Sequence, residues 1–362
     1  MKVTFLKDKK IFVPGDHTDT VWYPVREAPF RIYGLYSPLD GTRFRRMPEE
    51  VAEATSEGVA HLNYNTAGGR VTFATDSPYI AVFAQMHDMV RMPHMPRTGS
   101  SGFDIYICEG DAQRYVSTVV PCNPGNGDNY TYAADSATDI GRVYSFVMNF
   151  PLYDSVDELY IGVAPDAVLR GAGKVYSDEP PIVFYGSSIT QGGCVSRPGN
   201  AYESFISRRL RRDFVNLGFS GSGKAEPPIA EYMAGLEMSA FVSDYDHNAP
   251  SPEYLEKTHH YLYDTIRAKN PSIPYVMVSR PDFDTHMDDS IARRSIIKRS
   301  FEKALAKGDK NVYYVDGETL FGADLRDSCT VDRTHPNDIG HFRMGRVIGD
   351  VLAEALSKGG KA

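Results

Sequence analysis

The first 165 residues alternate between apolar and polar positions with a period of two. Clusters of Gly, Pro, Asn and Asp separate the short runs in which this alternation is clearest, namely 71–75, 79–84, 103–107, 115–120, 143–150 and 158–163. A period of two is typical of strands with one buried face, and this part of the chain shows no long stretch with a helical period. We therefore predict an antiparallel, jelly-roll-like β-sandwich domain over residues 1–174.

From residue 182 onward the pattern changes to short, wholly apolar runs with helix-length segments between them. Five such runs are present, at 182–185, 214–217, 240–243, 275–279 and 312–316. Repeated strand–helix units predict an α/β domain over residues 175–362, with a flavodoxin-like, five-stranded parallel sheet and helices on both faces. A last helix is predicted to pack on the sheet through its apolar positions Ile339, Phe342, Val347, Ile348, Val351 and Leu352.

Polar side chains follow four of the five predicted parallel strands. Ser188 follows the first strand, Gly221 lies in a glycine-rich turn after the second, and Asn248 follows the third. Asp332 and His335 lie in the loop after the fifth strand. Because ligands bind outside the carboxyl ends of the strands in an open parallel sheet, we expect these residues to converge on one site.

This set of residues contains what acyl transfer to a serine requires. A serine hydroxyl is a poor nucleophile until an imidazole takes its proton, and a carboxylate must hold that imidazole in the correct tautomer. Ser188, His335 and Asp332 are the candidates for these three roles. The oxyanion also needs fixed donors, which the N–H groups of Ser188 and Gly221 and the side-chain amide of Asn248 could supply.

Four sequence blocks resemble those of the SGNH (GDSL-type) hydrolase superfamily. They are GSSIT at 186–190, NLGFSG at 216–221, DYDHN at 244–248 and DRTHP at 332–336. The resemblance implies Ser188 as nucleophile, Asp332 and His335 as its partners, and Gly221 and Asn248 as oxyanion donors. The N-terminal half is similar to the β-sandwich that precedes some members and carries a GxDLY-like motif, here GFDIY at residues 102–106.

Two positions depart from the family pattern. Ser187 stands where the family has an aspartate before the nucleophile, a residue outside the triad. Residues 246–249 read DHNA instead of the family's Gly-x-Asn-Asp, so the block that carries Asn248 has the family's asparagine without its flanking Gly and Asp.

The resemblance implies a serine esterase that needs neither cofactor nor metal. We expect it to remove short acyl groups, above all acetyl, from a carbohydrate, so that its partner is a small-molecule or oligosaccharide ester. A lipase, lysophospholipase or thioesterase would use the same residues, and a carbohydrate-binding protein without catalytic activity is the alternative from another class. Neither the oligomeric state nor the alcohol part of the substrate follows from the sequence.

The charge and the apolar runs of the sequence indicate which kinds of partner and location to expect. The formal net charge of −8 argues against a nucleic-acid partner, and no apolar run is long enough to predict a membrane span. The N-terminus returns to charged residues too soon for a signal-peptide core, so we expect a cytoplasmic protein unless a leader has been removed. GFSGSGKA at residues 218–225 is a near miss to a phosphate-binding loop, but it lacks the Ser or Thr that follows the lysine.

The cysteines predict reduced thiols. The four residues form no Cys-x-x-Cys pair and no metal-like spacing, which argues against both a disulfide framework and a metal site. Cys194 lies close to the candidate nucleophile, and we interpret it as a small, half-buried side chain and not as a competing nucleophile.

Overall fold

The computed structural model describes residues 19–86, 90–120, 129–134 and 142–359. The chain divides into two compact units. The first unit consists of the described residues up to Arg46, the described part of Tyr64–Ser177, and Ser196–Gly199. The second unit consists of Met47–Asn63, Asp178–Val195 and the described residues from Asn200 onward. Each unit thus receives a short segment from the part of the chain that mainly builds the other. That residues 1–174 and 175–362 are separate domains stays a prediction.

Short strands and tight turns build the first unit. The strands are β1 (Val21–Pro24), β2 (Arg31–Tyr33), β3 (Arg70–Thr75), β4 (Ile80–Gln85), β5 (Phe103–Glu109), β6 (Ala112–Val119), β7 (Asn129–Ala134), β8 (Tyr144–Asn149), β9 (Glu158–Val163) and β10 (Leu169–Arg170). One antiparallel sheet has the order β1-β9-β4-β7, and the other has the order β10-β3-β8-β5-β6 with β2 beside β3. Apolar residues of both sheets form one buried core, among them Phe73 and Phe146 of one sheet and Val82 and Ile161 of the other. The predicted β-sandwich is confirmed.

Five parallel strands build the second unit. They are β11 (Ile182–Gly186), β12 (Phe214–Gly218), β13 (Ala240–Asp244), β14 (Tyr275–Val278) and β15 (Val312–Val315), in the order β12-β11-β13-β14-β15. This is the flavodoxin-like order, in which ligands bind at the switch point between the first and third strands. At that point Gly186, the last residue of β11, is in register with Gly218 on one side and Asp244 on the other.

Helices cover both faces of this sheet. The α-helices in the described parts of the chain are α1 (Glu49–Thr55), α2 (Glu57–Leu62), α3 (Arg97–Ser100), α4 (Ser188–Gln191), α5 (Tyr202–Leu210), α6 (Pro227–Ala234), α7 (Pro252–Lys269), α8 (Met287–Ala306), α9 (Gly317–Leu320) and α10 (Asp338–Gly359). Val183 and Tyr185 of β11 pack with α6, α7, α8, α1 and α2, whereas Ile182 and Phe184 pack with α5 and α10. The predicted fold of this region is therefore confirmed. None of the described helices is both long and apolar enough to cross a membrane.

The last helix packs on the core through four of its six predicted positions, since Ile348 and Leu352 are buried there and Val347 and Val351 are half-buried against it. Ile339 and Phe342 were expected to pack on the sheet, but they are 41% and 48% exposed. The buried side chains other than glycine follow the helical period of three and four residues, and they are His341, Met344, Ile348, Leu352 and Ala355. Ile348 and Leu352 were predicted correctly, while a buried histidine replaces the expected apolar residue in the first turn.

Candidate active site

A tight strand-to-helix turn presents Ser188. The strand β11 ends at Gly186, where a Cβ atom would lie only 2.0 Å from Thr190 Oγ1 and 2.3 Å from the Asp244 carbonyl oxygen. Ser187 is fully buried and caps α4, since its hydroxyl accepts a hydrogen bond from the Ile189 N–H at 3.2 Å. A serine therefore serves as a normal N-cap at the position where the family has an aspartate. Ser188 follows as the first, half-buried residue of α4.

Ser188, His335 and Asp332 form one continuous line of hydrogen bonds. Ser188 Oγ lies 2.9 Å from His335 Nε2, and His335 Nδ1 lies 2.7 Å from Asp332 Oδ2. Since a carboxylate can only accept, His335 donates from Nδ1; in the neutral ring Nε2 is then the acceptor for the Ser188 hydroxyl. The structure brings together three residues that are separated by up to 147 positions in the chain.

Backbone groups fix the carboxylate of Asp332. Its Oδ1 atom accepts hydrogen bonds from the N–H groups of His335 and Thr334, at 2.7 Å and 3.0 Å. Partial burial acts to raise the pKa of Asp332, but the hydrogen bonds from His335 and Thr334 outweigh it and hold the pKa below its ordinary value. The side chain therefore stays ionised. Its Oδ1 atom accepts from the backbone N–H groups, and its Oδ2 atom accepts from the His335 imidazole.

The second sequence block braces the serine turn in a way that the sequence did not suggest. Asn216 in β12 donates from Nδ2 to the Thr190 carbonyl at 2.6 Å and accepts from the Gly218 N–H at 2.9 Å. Gln191 is buried, and its Oε1 atom accepts from the Ser220 N–H at 2.9 Å. The only available signal was the polar Asn216 inside an otherwise apolar strand, FVNLG.

Gly221 and Asn248 lie in loops that touch each other. Asn248 Nδ2 donates to the Phe219 carbonyl at 2.8 Å, so one of its two amide hydrogens is engaged and the other is left to a ligand. Gly221 has a φ of +69° and open space around its Cβ position, so its backbone is accessible in a conformation that favours glycine. The loops after β11 and β12 are also joined, because the Phe219 N–H donates to the Gly186 carbonyl at 3.0 Å.

The loop that carries Asn248 is held by buried charges. Asp246 accepts from the Arg280 N–H at 3.1 Å, and Arg293 donates to the Ala249 carbonyl at 3.0 Å. Arg280 in turn binds Asp282 through two nitrogens, at 2.8 Å and 2.7 Å. A bidentate pair is directional, so it fixes the Arg280 side chain, whose residue binds the loop through its backbone N–H.

Cys194 is more deeply buried than predicted, with 3% of its surface exposed. Burial, followed by the nearby charge of Asp332, raises the pKa of Cys194 to about 12. Its N–H donates to the Pro336 carbonyl at 2.8 Å, which joins the chain after α4 to the loop of His335. A thiol that stays protonated is a poor nucleophile, which agrees with its interpretation as a packing residue.

His341 is a further residue that sequence reasoning missed. Its side chain is fully buried, Nδ1 accepts from the Tyr202 N–H at 3.2 Å, and Nε2 lies 3.2 Å from the Gly193 carbonyl. Burial lowers the pKa of His341 to about 4, so the ring is neutral near pH 7 and donates from Nε2 to Gly193. It thereby connects α10 to the segment that follows the serine turn.

A cavity of about 470 Å³ adjoins the loop of Asp332 and His335. Much of its lining is charged or hydroxylated, and this part of the lining comprises Asp282, Asp284, Thr285, Arg326, Asp327, Thr330 and Arg333. Thr285 donates from its hydroxyl to the Arg333 carbonyl at 2.7 Å, so the cavity wall is bonded directly to the loop. Phe321, Ala323 and Leu325 supply the apolar part of the lining.

Comparisons with known proteins agree with this geometry. Residues 179–353 match the GDSL-like lipase/acylhydrolase family, and residues 20–169 match the N-terminus of SGNH-hydrolase-type esterases. No curated protein matches the chain.

Solved structures share the whole architecture. A candidate GDSL-like lipase from Bacteroides ovatus is 29% identical with a TM-score of 0.83, over 93% of this chain and 98% of that one. The salicylyl-acyltransferase SsfX3 of a tetracycline biosynthetic pathway is 20% identical with a TM-score of 0.75, again over 93% and 98%. A family two carbohydrate esterase from Clostridium thermocellum, solved with cellohexaose, is 13% identical with a TM-score of 0.61, over 91% and 99%. The last two, at these identities, show the fold alone.

The two family matches follow one another along the chain, in the order that the sandwich and the parallel sheet take in the structure. Through residues 179–353 the chain belongs to the GDSL-like lipase/acylhydrolase family, and it is a carboxylic ester hydrolase with the N-terminal domain of SGNH-type esterases.

Proposed function

We propose that the chain is a serine esterase that removes short acyl groups, above all acetyl, from a carbohydrate. The observation that carries this proposal is the line of hydrogen bonds from Ser188 through His335 to Asp332, at 2.9 Å and 2.7 Å. These distances lie within the range that proton transfer between a nucleophile and its general base requires.

The first half of the reaction transfers the acyl group to the enzyme. Ser188 Oγ attacks the ester carbonyl while its proton passes to His335 Nε2, and Asp332 stabilises the imidazolium through Nδ1–H. The N–H groups of Ser188 and Gly221 and the free amide hydrogen of Asn248 hold the oxyanion. The tetrahedral intermediate then collapses, the C–O bond to the alcohol breaks, and the leaving oxygen receives the proton from His335.

The second half releases the acid. His335 Nε2 takes a proton from water, and the resulting hydroxide attacks the acyl carbonyl on Ser188. When this intermediate collapses, the proton returns to Ser188 Oγ and the carboxylic acid leaves. No cofactor enters either half, since every proton that moves is taken up and returned by His335.

Two observations support a carbohydrate as the alcohol part of the substrate. Charged and hydroxylated side chains line much of the cavity beside the catalytic loop, and such groups suit the hydroxyls of a sugar better than a long acyl chain. In addition, the Clostridium thermocellum esterase that shares the fold was solved with an oligosaccharide. Both observations concern the substrate class and leave the identity of the sugar open.

A chain-length series tests the acyl preference. We expect kcat/KM for p-nitrophenyl acetate to exceed that for the octanoate by about 10-fold or more, because a short site gains nothing from extra methylenes and must exclude them. Acetate release from acetylated xylan should follow in the same preparation. A preference for octanoate would instead support the lipase alternative. Turnover of acyl-thioesters alone would support the thioesterase, and the absence of turnover with any ester would support the binding protein.

Asn248→Ala tests the side-chain member of the oxyanion site. We expect kcat for p-nitrophenyl acetate to fall about 10²- to 10³-fold with little change in KM, because the donor acts on charge that develops only in the transition state. Asn270→Ala is the matched control, since Asn270 Nδ2 makes a similar part-buried bond to a carbonyl, that of Ala234 at 2.8 Å. Equal activities of the two variants would remove Asn248 from the oxyanion site.

A further inference from the structure

The aspartate of the GFDIY motif is buried at the centre of a polar cluster. Asp104 has no exposed surface, and its Oδ1 accepts from Asn149 Nδ2 at 2.8 Å. Its Oδ2 receives two further hydrogen bonds, from Arg197 Nη1 at 3.0 Å and from the Gly199 N–H at 2.8 Å. A buried carboxylate is stable only when it is paired and fully hydrogen-bonded, and Asp104 meets both conditions.

The partners of Asp104 come from a segment with an unusual position in the chain. Ser196–Gly199 belongs to the first compact unit, although it lies between α4 and α5, which belong to the second. The Arg197 guanidinium lies 3.9 Å from the ring centre of Tyr115, and Tyr106 of the motif is hydrogen-bonded to it. Two residues of the motif, Asp104 and Tyr106, therefore hold this four-residue segment.

The fit of the segment requires a glycine. A Cβ atom on Gly199 would lie 2.3 Å from the Tyr106 hydroxyl and 2.6 Å from Asp104 Oδ2. The motif glycine has a comparable constraint, because a Cβ atom on Gly102 would lie 2.2 Å from the Thr98 carbonyl oxygen. The motif and the segment are thus matched in shape as well as in charge.

The residues directly before this segment, 193–195, are hydrogen-bonded to the serine turn and to the loop of His335. The Val195 N–H donates to the Gly192 carbonyl at 3.2 Å, and the Gly193 N–H donates to the Ser188 carbonyl at 2.9 Å. The Cys194 N–H donates to the Pro336 carbonyl at 2.8 Å, next to His335. The chain that Asp104 holds therefore leads, within a few residues, to both the nucleophile and its base.

We propose that Asp104 and Arg197 form a clamp that positions the serine turn, and that this is the role of the GFDIY motif in the reaction. Asp104 acts through the segment 196–199 and not on the substrate, so it is a positioning residue. The effect rests on the proposed function, because it is exerted on Ser188 and His335. A displacement of about 1 Å at a reacting group can cost about 100-fold in rate, so a clamp of this kind has a measurable effect.

Asp104→Asn and Arg197→Gln test the clamp from its two sides. For both we expect kcat for p-nitrophenyl acetate to fall about 10- to 100-fold, with KM within about twofold of wild type, because the geometry of the reacting groups changes and the binding surface does not. The double variant should lose no more than the stronger single variant, since both residues act through one contact. Asp157→Asn is the matched control, because it removes an ion pair of the same unit, to Arg43 Nε at 2.7 Å, and it should leave kcat unchanged.

Hydrogen exchange of peptides that cover residues 186–200 provides a readout that does not need turnover. We expect faster exchange there in Asp104→Asn and Arg197→Gln, and not in Asp157→Asn. Wild-type kcat with faster exchange would overturn the positioning role, and unchanged exchange would overturn the clamp itself. If the wild type hydrolyses no ester, but residues 186–200 exchange faster in Asp104→Asn and Arg197→Gln than in the wild type, the proposed function fails while the clamp is supported. The Arg197 side chain is partly exposed, so we expect Arg197→Gln to fold. The clamp can then be tested with this variant even if Asp104→Asn does not fold.

Discussion

Ser188→Ala is expected to lower kcat for p-nitrophenyl acetate by about 10⁴- to 10⁶-fold, the range that removal of a serine nucleophile produces in hydrolases with such a triad. The alanine removes the only atom that can form the acyl-enzyme, while His335 and Asp332 keep their own hydrogen bond of 2.7 Å. The fold should be retained, because Ser187 and not Ser188 caps α4. Steady-state kinetics, together with the melting temperature of each variant, provides the measurement.

Cys194→Ala is the control for this experiment. The thiol is six residues from the serine and is the other nucleophilic side chain of the same turn, but burial and the charge of Asp332 raise its pKa to about 12. We expect this variant to retain turnover within about threefold, because a protonated thiol takes no part in the reaction. The serine mechanism would be wrong if Cys194→Ala lost activity and Ser188→Ala kept it. If wild type and Ser188→Ala were equally inert, a binding role for both units would become the better explanation.

The sequence predicted the parallel sheet well because its strands are buried on both faces. Each of the five runs ends within one residue of the observed strand, and the strand order follows the flavodoxin-like arrangement. The sandwich was predicted as a class, but the six-residue strand β7 and the short strands β1, β2 and β10 were not. Strands of two to four residues contain too few positions for a period of two to be visible.

The segment Met47–Asn63 shows what local patterns leave out. It forms two helices of seven and six residues and contributes Ala52 and Val59 to the core of the second unit. Helices of less than two turns have no clear period, and nothing local indicates that they pack against residues more than a hundred positions away. Their place in the fold is decided by the apolar surface that they cover.

The candidate site was predicted residue by residue, whereas its supports were not. Ser188, His335 and Asp332 were proposed as the triad because their chemistry and order along the chain are distinctive. The structure places them in hydrogen-bond contact, and their catalytic roles stay a prediction. The supporting roles of Asn216 and His341 depend on contacts with Thr190 and Gly193, up to 148 positions away. A polar residue in an apolar run can mark a buried position, as Asn216 does, but it does not show which residue it contacts, so only the fold reveals what it holds.

Asp332→Asn is expected to lower kcat about 10⁴-fold without unfolding the loop. The asparagine carbonyl can still accept from the N–H groups of Thr334 and His335, as Asp332 Oδ1 does at 3.0 Å and 2.7 Å. Its amide nitrogen then takes the place of Oδ2 and donates to His335 Nδ1, so the ring proton must move to Nε2. In that tautomer His335 presents an N–H to Ser188 and cannot take its proton, which accounts for a loss of this size.

Asp350→Asn separates this tautomer effect from a general loss of negative charge. Asp350 is an exposed acid of α10 that pairs with Arg209 outside the cavity lining, and its variant should keep kcat within about twofold. Melting temperatures should be similar for both variants, because the loop of Asp332→Asn keeps its backbone hydrogen bonds. The chemical shifts of the His335 ring nitrogens should move in Asp332→Asn as the proton shifts to Nε2. Activity above about a tenth of wild type in Asp332→Asn, with an unchanged tautomer, would show that the carboxylate does not orient His335.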